Sequence, residues 1–288
     1  MSDASRADEA DEQTDAAKSD QEEADRVERN TTPRTPVIYE TVRRSGEDEM
    51  ARPPVSLWWS GLAAGLSISF SLFAEAVLHS HLPAAPWREL VVALGYPIGF
   101  MIVILGRQQL FTENTITVVL PVIAKFNILR LGIAGRLWGI VLVANLCGTL
   151  IAAVFCTYTP VLSNEVRASM LEISRHAVLL PWLEVLLRGI TAGFLMAALV
   201  WLMPAAGDSH FSVVFVITYL IGVAGTAHIV AGSAEAFMLM LHGELSVASV
   251  ALGFGVPALL GNIIGGTALF AVIAYAQVMH EIDPEPAD

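Results

Sequence analysis

The 288 residues are 55% hydrophobic and only 15% charged, with a mean hydropathy of +0.60. That balance excludes a soluble enzyme and indicates an integral membrane protein of several helices. The net charge of −12 is unevenly held: residues 1–54 carry 15 acidic against 8 basic side chains, the last eight residues carry four acids, and no Lys or Arg follows Arg188.

Residues 1–54 are therefore expected to be an acidic, disordered cytoplasmic tail. Their first 30 residues are hydrophilic, so no signal peptide is expected. Apolar runs follow near 57–78, 90–124, 137–158, 182–203, 211–241 and 247–276. The strict alternation that a membrane barrel needs is absent, so the fold class is all-α: a bundle of six spans over 55–276. A second acidic cytoplasmic tail is expected over 277–288. Cys147 and Cys156 fall in the third run and read as small apolar packers.

The second and fifth runs are too long for one crossing, since about 20 helical residues span the hydrocarbon core. Polar residues interrupt the second at Gly106-Arg107-Gln108-Gln109 and at Thr112-Glu113-Asn114. The fifth is interrupted from Gly222 to His228. Irregular backbone at membrane depth is tolerated where it is buried in protein or lines a water-filled path. Arg43, Arg44, Arg52, Lys125, Arg130 and Arg136 fall on one side, against Arg88, Arg167 and Arg175 on the other. This bias places both termini in the cytoplasm.

Three spans echo the other three. Asn145-x-x-Gly148 recurs 117 residues later as Asn262-x-x-Gly265, and the same shift carries Phe111 onto His228. An odd number of spans per half makes this an inverted repeat. Gly61-x-x-x-Gly65 and Gly261-x-x-x-Gly265 each put two glycines on one helix face, for a channel wall or for subunit packing.

His228, inside a span and flanked by glycines, is the leading candidate for chemistry, as hydrogen-bond donor or proton relay. Thr112 and the amides of a 112–115 loop offer further donors to an anion. Glu113 needs a partner there, and Arg107 is the obvious one. Glu184 and Arg188 are spaced to pair at i, i+4. Glu75 is also at depth, and Glu235, two turns after His228, reads as an inter-helix hydrogen-bonding group. His79-Ser-His81 is weak evidence for a metal. No enzymatic motif is recognisable, and no cofactor or nucleic-acid partner is expected.

Leu110-Phe111-Thr112, the glycine-flanked His228 and Gly261-Asn262-Ile263-Ile264-Gly265-Gly266 together resemble the formate/nitrite transporter family, over about 57–276. The resemblance implies an aquaporin-like fold with spans two and five broken. It also implies a homopentamer in the inner membrane with one pore per protomer, passing small monovalent anions with or without a proton. Thr112 matches the family's loop threonine, His228 its central histidine, and Leu110 and Phe111 its apolar constriction; Glu113, Asn114 and Thr226 border the same path. The sequence departs from the family where Thr226-Ala227 precede the histidine and Gly232 follows it. It also departs at Ala177 and Gly193, where a basic residue and an asparagine are usual, and at Arg188 in place of an apolar residue. It looks closer to an uncharacterised inner-membrane branch than to a dedicated formate channel. The alternatives are a neutral small-solute pore and a membrane scaffold without transport.

Overall fold

The computed structural model describes residues 33–282; the outer parts of both expected tails, 1–32 and 283–288, lie outside the described residues. The described part of the expected N-terminal tail is not disordered. Helix α1 (Thr35–Ala51) belongs to the same compact unit as the membrane helices. Tyr39, Val42 and Gly46 form its buried face at helical spacing, and the Tyr39 ring lies 5.9 Å from that of Tyr275. Gly46 presses on the Thr117 carbonyl, a contact that leaves no room for a side chain. Glu40 pairs with Arg43 and Arg44 on the opposite face, while Arg43 and Arg130 both reach Glu47. Judging residues 1–54 by average composition hid this short apolar stripe, which is what docks the helix.

Among the described residues, five helices are long and apolar enough to cross a membrane: α2 (Pro54–His81), α3 (Arg88–Leu105), α5 (Ile128–Tyr158), a span from Trp182 to Ala205, and α10 (Ser249–Val278). Within the fourth of these, α7 covers Trp182–Leu202. Both overlong runs are broken as expected. The second continues after α3 as α4 (Phe111–Ala124); the fifth is α8 (His210–Val223) followed by α9 (Ile229–Leu241). The expected second interruption at Thr112-Glu113-Asn114 is absent, because these residues form the first turn of α4. An unexpected amphipathic helix, α6 (Asn164–Val178), is capped by the Ser163 hydroxyl and packs on α2 and α9.

The small residues let helix axes approach. Gly65 on α2 faces the Asn145 carbonyl and Gly148 of α5, and Gly193 on α7 faces the Asn262 carbonyl of α10. Gly261 and Gly265 meet α7 at Gly189 and Ile190. Both glycine pairs thus work inside one chain, where the absence of a Cβ allows backbone-to-backbone packing.

Candidate functional site

Each break begins with the same turn. After α3, Arg107 takes a left-handed conformation (φ 50°), while Arg107 N–H donates to Ile104 O and Gln108 N–H to Val103 O. After α8, Gly225 does so (φ 58°), with Gly225 N–H on Gly222 O and Thr226 N–H on Ile221 O. This is a helix-ending motif in which glycine is usual and arginine costs strain.

Each break is then held by one buried asparagine. Asn145 donates its amide hydrogens to Gly61 O and Gln109 O, and its Oδ1 accepts from Phe111 N–H at 2.9 Å. Asn262 donates to Gly189 O and Ala227 O and accepts from Ile229 N–H at 2.9 Å. A side-chain amide alone carries two donors and an acceptor in one plane, which suits a chain reversal with orphaned groups on both sides. In these bonds and turns the breaks align at an offset of 118, so His228 corresponds to Leu110 rather than to Phe111. Both are N-caps, of α9 and α4 respectively.

The breaks meet at Thr112 and His228, both at most 1% exposed, whose Oγ1 and Nε2 atoms are 2.7 Å apart. Nδ1 of His228 accepts from Ala231 N–H at 3.1 Å and so caps α9. An accepting Nδ1 leaves the ring hydrogen on Nε2, which donates to the Thr112 hydroxyl. The Thr112 hydrogen is then available to a further acceptor. The Phe100 ring meets the imidazole edge-on at 5.0 Å. Among the described residues, Thr112 N–H and Val230 N–H, in the first turns of α4 and α9, have no acceptor.

One cavity reaches this contact at His228, and a second is lined by Glu113 and Asn114, the residues that follow Thr112 in the chain. The far-side cavity, about 420 Å³, is lined by His228, Thr226, Glu75, Glu235, Tyr96 and Arg188 among others. The tail-side cavity, about 790 Å³, is walled by α1 together with Arg107, Glu113 and Asn114. Leu110 and Phe111 are fully buried and line neither; Phe111 lies against Trp138 at 5.6 Å.

Several candidates serve the scaffold. Thr226 donates its hydroxyl to Ile221 O, and Asn114 donates to Gln109 Oε1 while accepting from Thr117. The expected Arg107–Glu113 pair does not form. Both side chains line the tail-side cavity without an ion pair among the described residues, since the left-handed turn points the arginine to its exposed rim. Glu235 likewise lacks the hydrogen bond expected of it and faces the far-side cavity. Glu184 and Arg188 do pair, at 2.6 Å, and Arg188 also holds Gly225 O at 2.8 Å. His79 bonds Ser169 whereas His81 bonds Val77 O, so the two histidines do not converge. Ala177 sits on α6 beside the far-side cavity, not at the start of a span. Cys147 and Cys156 are free thiols.

Sequence reasoning missed Gln109, whose side chain links Asn114 to Glu49 of α1 (2.7 Å) while its N–H donates to Ser60. It also missed Tyr96 and Phe254, which line the far-side cavity. Lone aromatics in apolar runs carry no signal that would have singled them out.

Comparison with known proteins gives a consistent answer. The model of the formate/nitrite transporter family matches residues 36–276. The chain is 41% identical over 249 residues to the inner membrane protein YfdC of Escherichia coli K12, covering 86% of this chain and 80% of that one. It is 25% identical over 249 residues to the formate channel FocA of Haemophilus influenzae, covering 76% and 85%. Among solved structures, it resembles a pentameric formate channel with formate bound (TM-score 0.67, 19% identity, 79% of this chain and 98% of that one). It also resembles an FNT family ion channel (TM-score 0.72, 18% identity, 83% and 98%). At such identities the structural likeness speaks for the fold.

Proposed function

The chain belongs to the formate/nitrite transporter family, and we propose that it passes small monovalent anions of the formate and nitrite kind between its two cavities. The observation that carries this reading is the Thr112–His228 hydrogen bond at the point where both breaks meet. Thr112 O–H, with the free amides of Thr112 and Val230, offers donors to an anion and no fixed positive charge. A bare monovalent ion there would lose far more hydration than these donors return, so the anion crosses the centre with a proton. His228 acts as a donor and not as the proton's source, because releasing Nε2–H while Nδ1 caps Ala231 would leave an imidazolate. The proton therefore enters with the anion from cavity water. Leu110 and Phe111 form the apolar barrier, while Glu113 and Asn114 border the tail-side approach and Thr226 the far-side one.

The matched asparagine clamps support an aquaporin-like inverted repeat, with Asn145 and Gly148 answered by Asn262 and Gly265. We further assign a homopentamer with a pore in each protomer, in the inner membrane, with both termini cytoplasmic. The pentameric solved relative and the inner membrane relative support the first two points. The test is stopped-flow flux of formate, nitrite and acetate into proteoliposomes at two pH values. Saturable uptake that rises as pH falls is expected; uptake that ignores pH, or equals that of empty vesicles, would overturn the reading.

A further inference from the structure

Two acids in the far-side cavity take no part in the central contact. Glu75 of α2 and Glu235 of α9 are 7% and 6% exposed, line the cavity, and have neither an ion pair nor a hydrogen bond among the described residues. The helices that carry them pack together, and both carboxylates open into the same cavity. Buried charges are ordinarily paired, because their lost hydration must be replaced.

The cations nearby are engaged elsewhere. Arg188 is held by Glu184 and Gly225 O, and Arg88 donates to His79 Nδ1 and to the His79 carbonyl. His79 Nδ1 also meets Ser169. His176 is exposed, and Glu89, the remaining charged group of the lining, adds a third acid.

The third wall is an unpartnered phenol. Tyr96 is 7% exposed, and its hydroxyl has no hydrogen bond among the described residues although it lines the cavity. The residue is fixed from both sides: Ser71 Oγ donates to Tyr96 O at 2.6 Å, and a Cβ on Gly222 would stand 2.8 Å from the Tyr96 Cβ. Phe254, 2% exposed, adds a second ring. Acceptor oxygens and aromatic faces without a counter-charge are what a cation bearing several N–H groups requires. Among the described residues no group of three or more His, Cys, Asp or Glu is arranged to hold a metal ion.

We propose that the far-side cavity binds a small nitrogen cation, ammonium or a short alkylammonium, between Glu75 and Glu235 with Tyr96 as third partner. The cavity of about 420 Å³ accommodates such an ion together with water. The site lies in the cavity that the anion path enters, beside Thr226 and His228, but cation binding is read independently of anion flux.

The test is equilibrium binding of radiolabelled methylammonium to the full-length protein in nanodiscs, with formate flux of each variant measured separately in proteoliposomes. Saturable binding, displaced by ammonium, is expected in the wild type. Glu75→Gln and Glu235→Gln should each weaken it by about tenfold, Tyr96→Phe by about threefold, and the exposed Glu165→Gln not at all. Gel filtration of each variant separates loss of the site from loss of the fold. Equal binding in wild type and both glutamine variants would overturn the proposal. So would absent binding in a protein that still passes formate, since the carboxylates would then be neutralised by protons.

Discussion

The breaks at 106–110 and 224–228 end in the same left-handed turn and hang from the same kind of asparagine clamp, yet their surroundings differ. Around the first, the chain Asn114–Gln109–Glu49 ties the backbone to α1, and the N-cap Leu110 offers no side-chain hydrogen bond. Around the second, His228 supplies both the cap and the central contact, and the wall opens into a cavity bearing two unpaired acids. One half is thus fastened and the other equipped. A repeated scaffold can fix backbone geometry twice while leaving chemistry to a single substitution at the cap.

The largest expected effect tests the shared part. Asn145→Ala and Asn262→Ala each orphan one buried N–H and one carbonyl of the break, Gln109 O or Ala227 O, at about 1–3 kcal/mol per group. Both should lower the thermal unfolding temperature strongly and to a similar extent. A large drop in only one would mean that the clamps are not equivalent.

His228→Leu then makes the second cap resemble the first. Losing the cap should cost about 1 kcal/mol, leaving an assembled protein. Losing the donor behind Thr112 should reduce formate flux by about 10–100-fold, the equivalent of about 1.5–3 kcal/mol. Proteoliposome uptake at matched protein density measures this.

Gln109→Leu should act on the other half alone, at about 0.5–1.5 kcal/mol. Amide exchange over residues 35–51 should quicken while α9 is unchanged; quickening in α9 as well would show the breaks to be coupled.

The smallest effect concerns pH. Hydrogen bonds from Arg43 and Arg44 hold the Glu40 carboxyl down at about 2, below its ordinary 4.5. Because the folded value is the lower one, the pair's contribution is complete above pH 4.5 and fades as pH falls toward 2. The site is a surface one, so the contribution is below about 1 kcal/mol. The protection of the α1 amides, corrected for the intrinsic exchange rate at each pH, should therefore be flat at neutral pH and fall only on acidification below 4.5.

Much of this was legible in the sequence because it was a matter of length and pattern. Runs too long for one crossing, interrupted by Gly106 and Gly225, had to break, and the repeated Asn-x-x-Gly had to lie where two glycine faces approach. The exact register was not legible. An offset of 117 fits Asn145 and Asn262, but the turns run at 118, so Phe111 was matched to His228 where Leu110 belongs. Nor were the pairings of charges. Arg107 and Glu113 are close in sequence, but a left-handed turn and the start of a helix intervene. Glu75 and Glu235 come from helices whose contact is set only by packing. Helix α1 was hidden because three buried side chains are a small fraction of an acidic segment.

The central claim is that Thr112 and His228 act as one unit between the two cavities. It is tested most directly by a double-mutant cycle on formate flux with Thr112→Val, His228→Ala and the pair. If the two side chains work through their shared hydrogen bond, each single variant loses flux and the double is no worse than the more impaired single. Losses that multiply, or flux unchanged in all three, would contradict the claim.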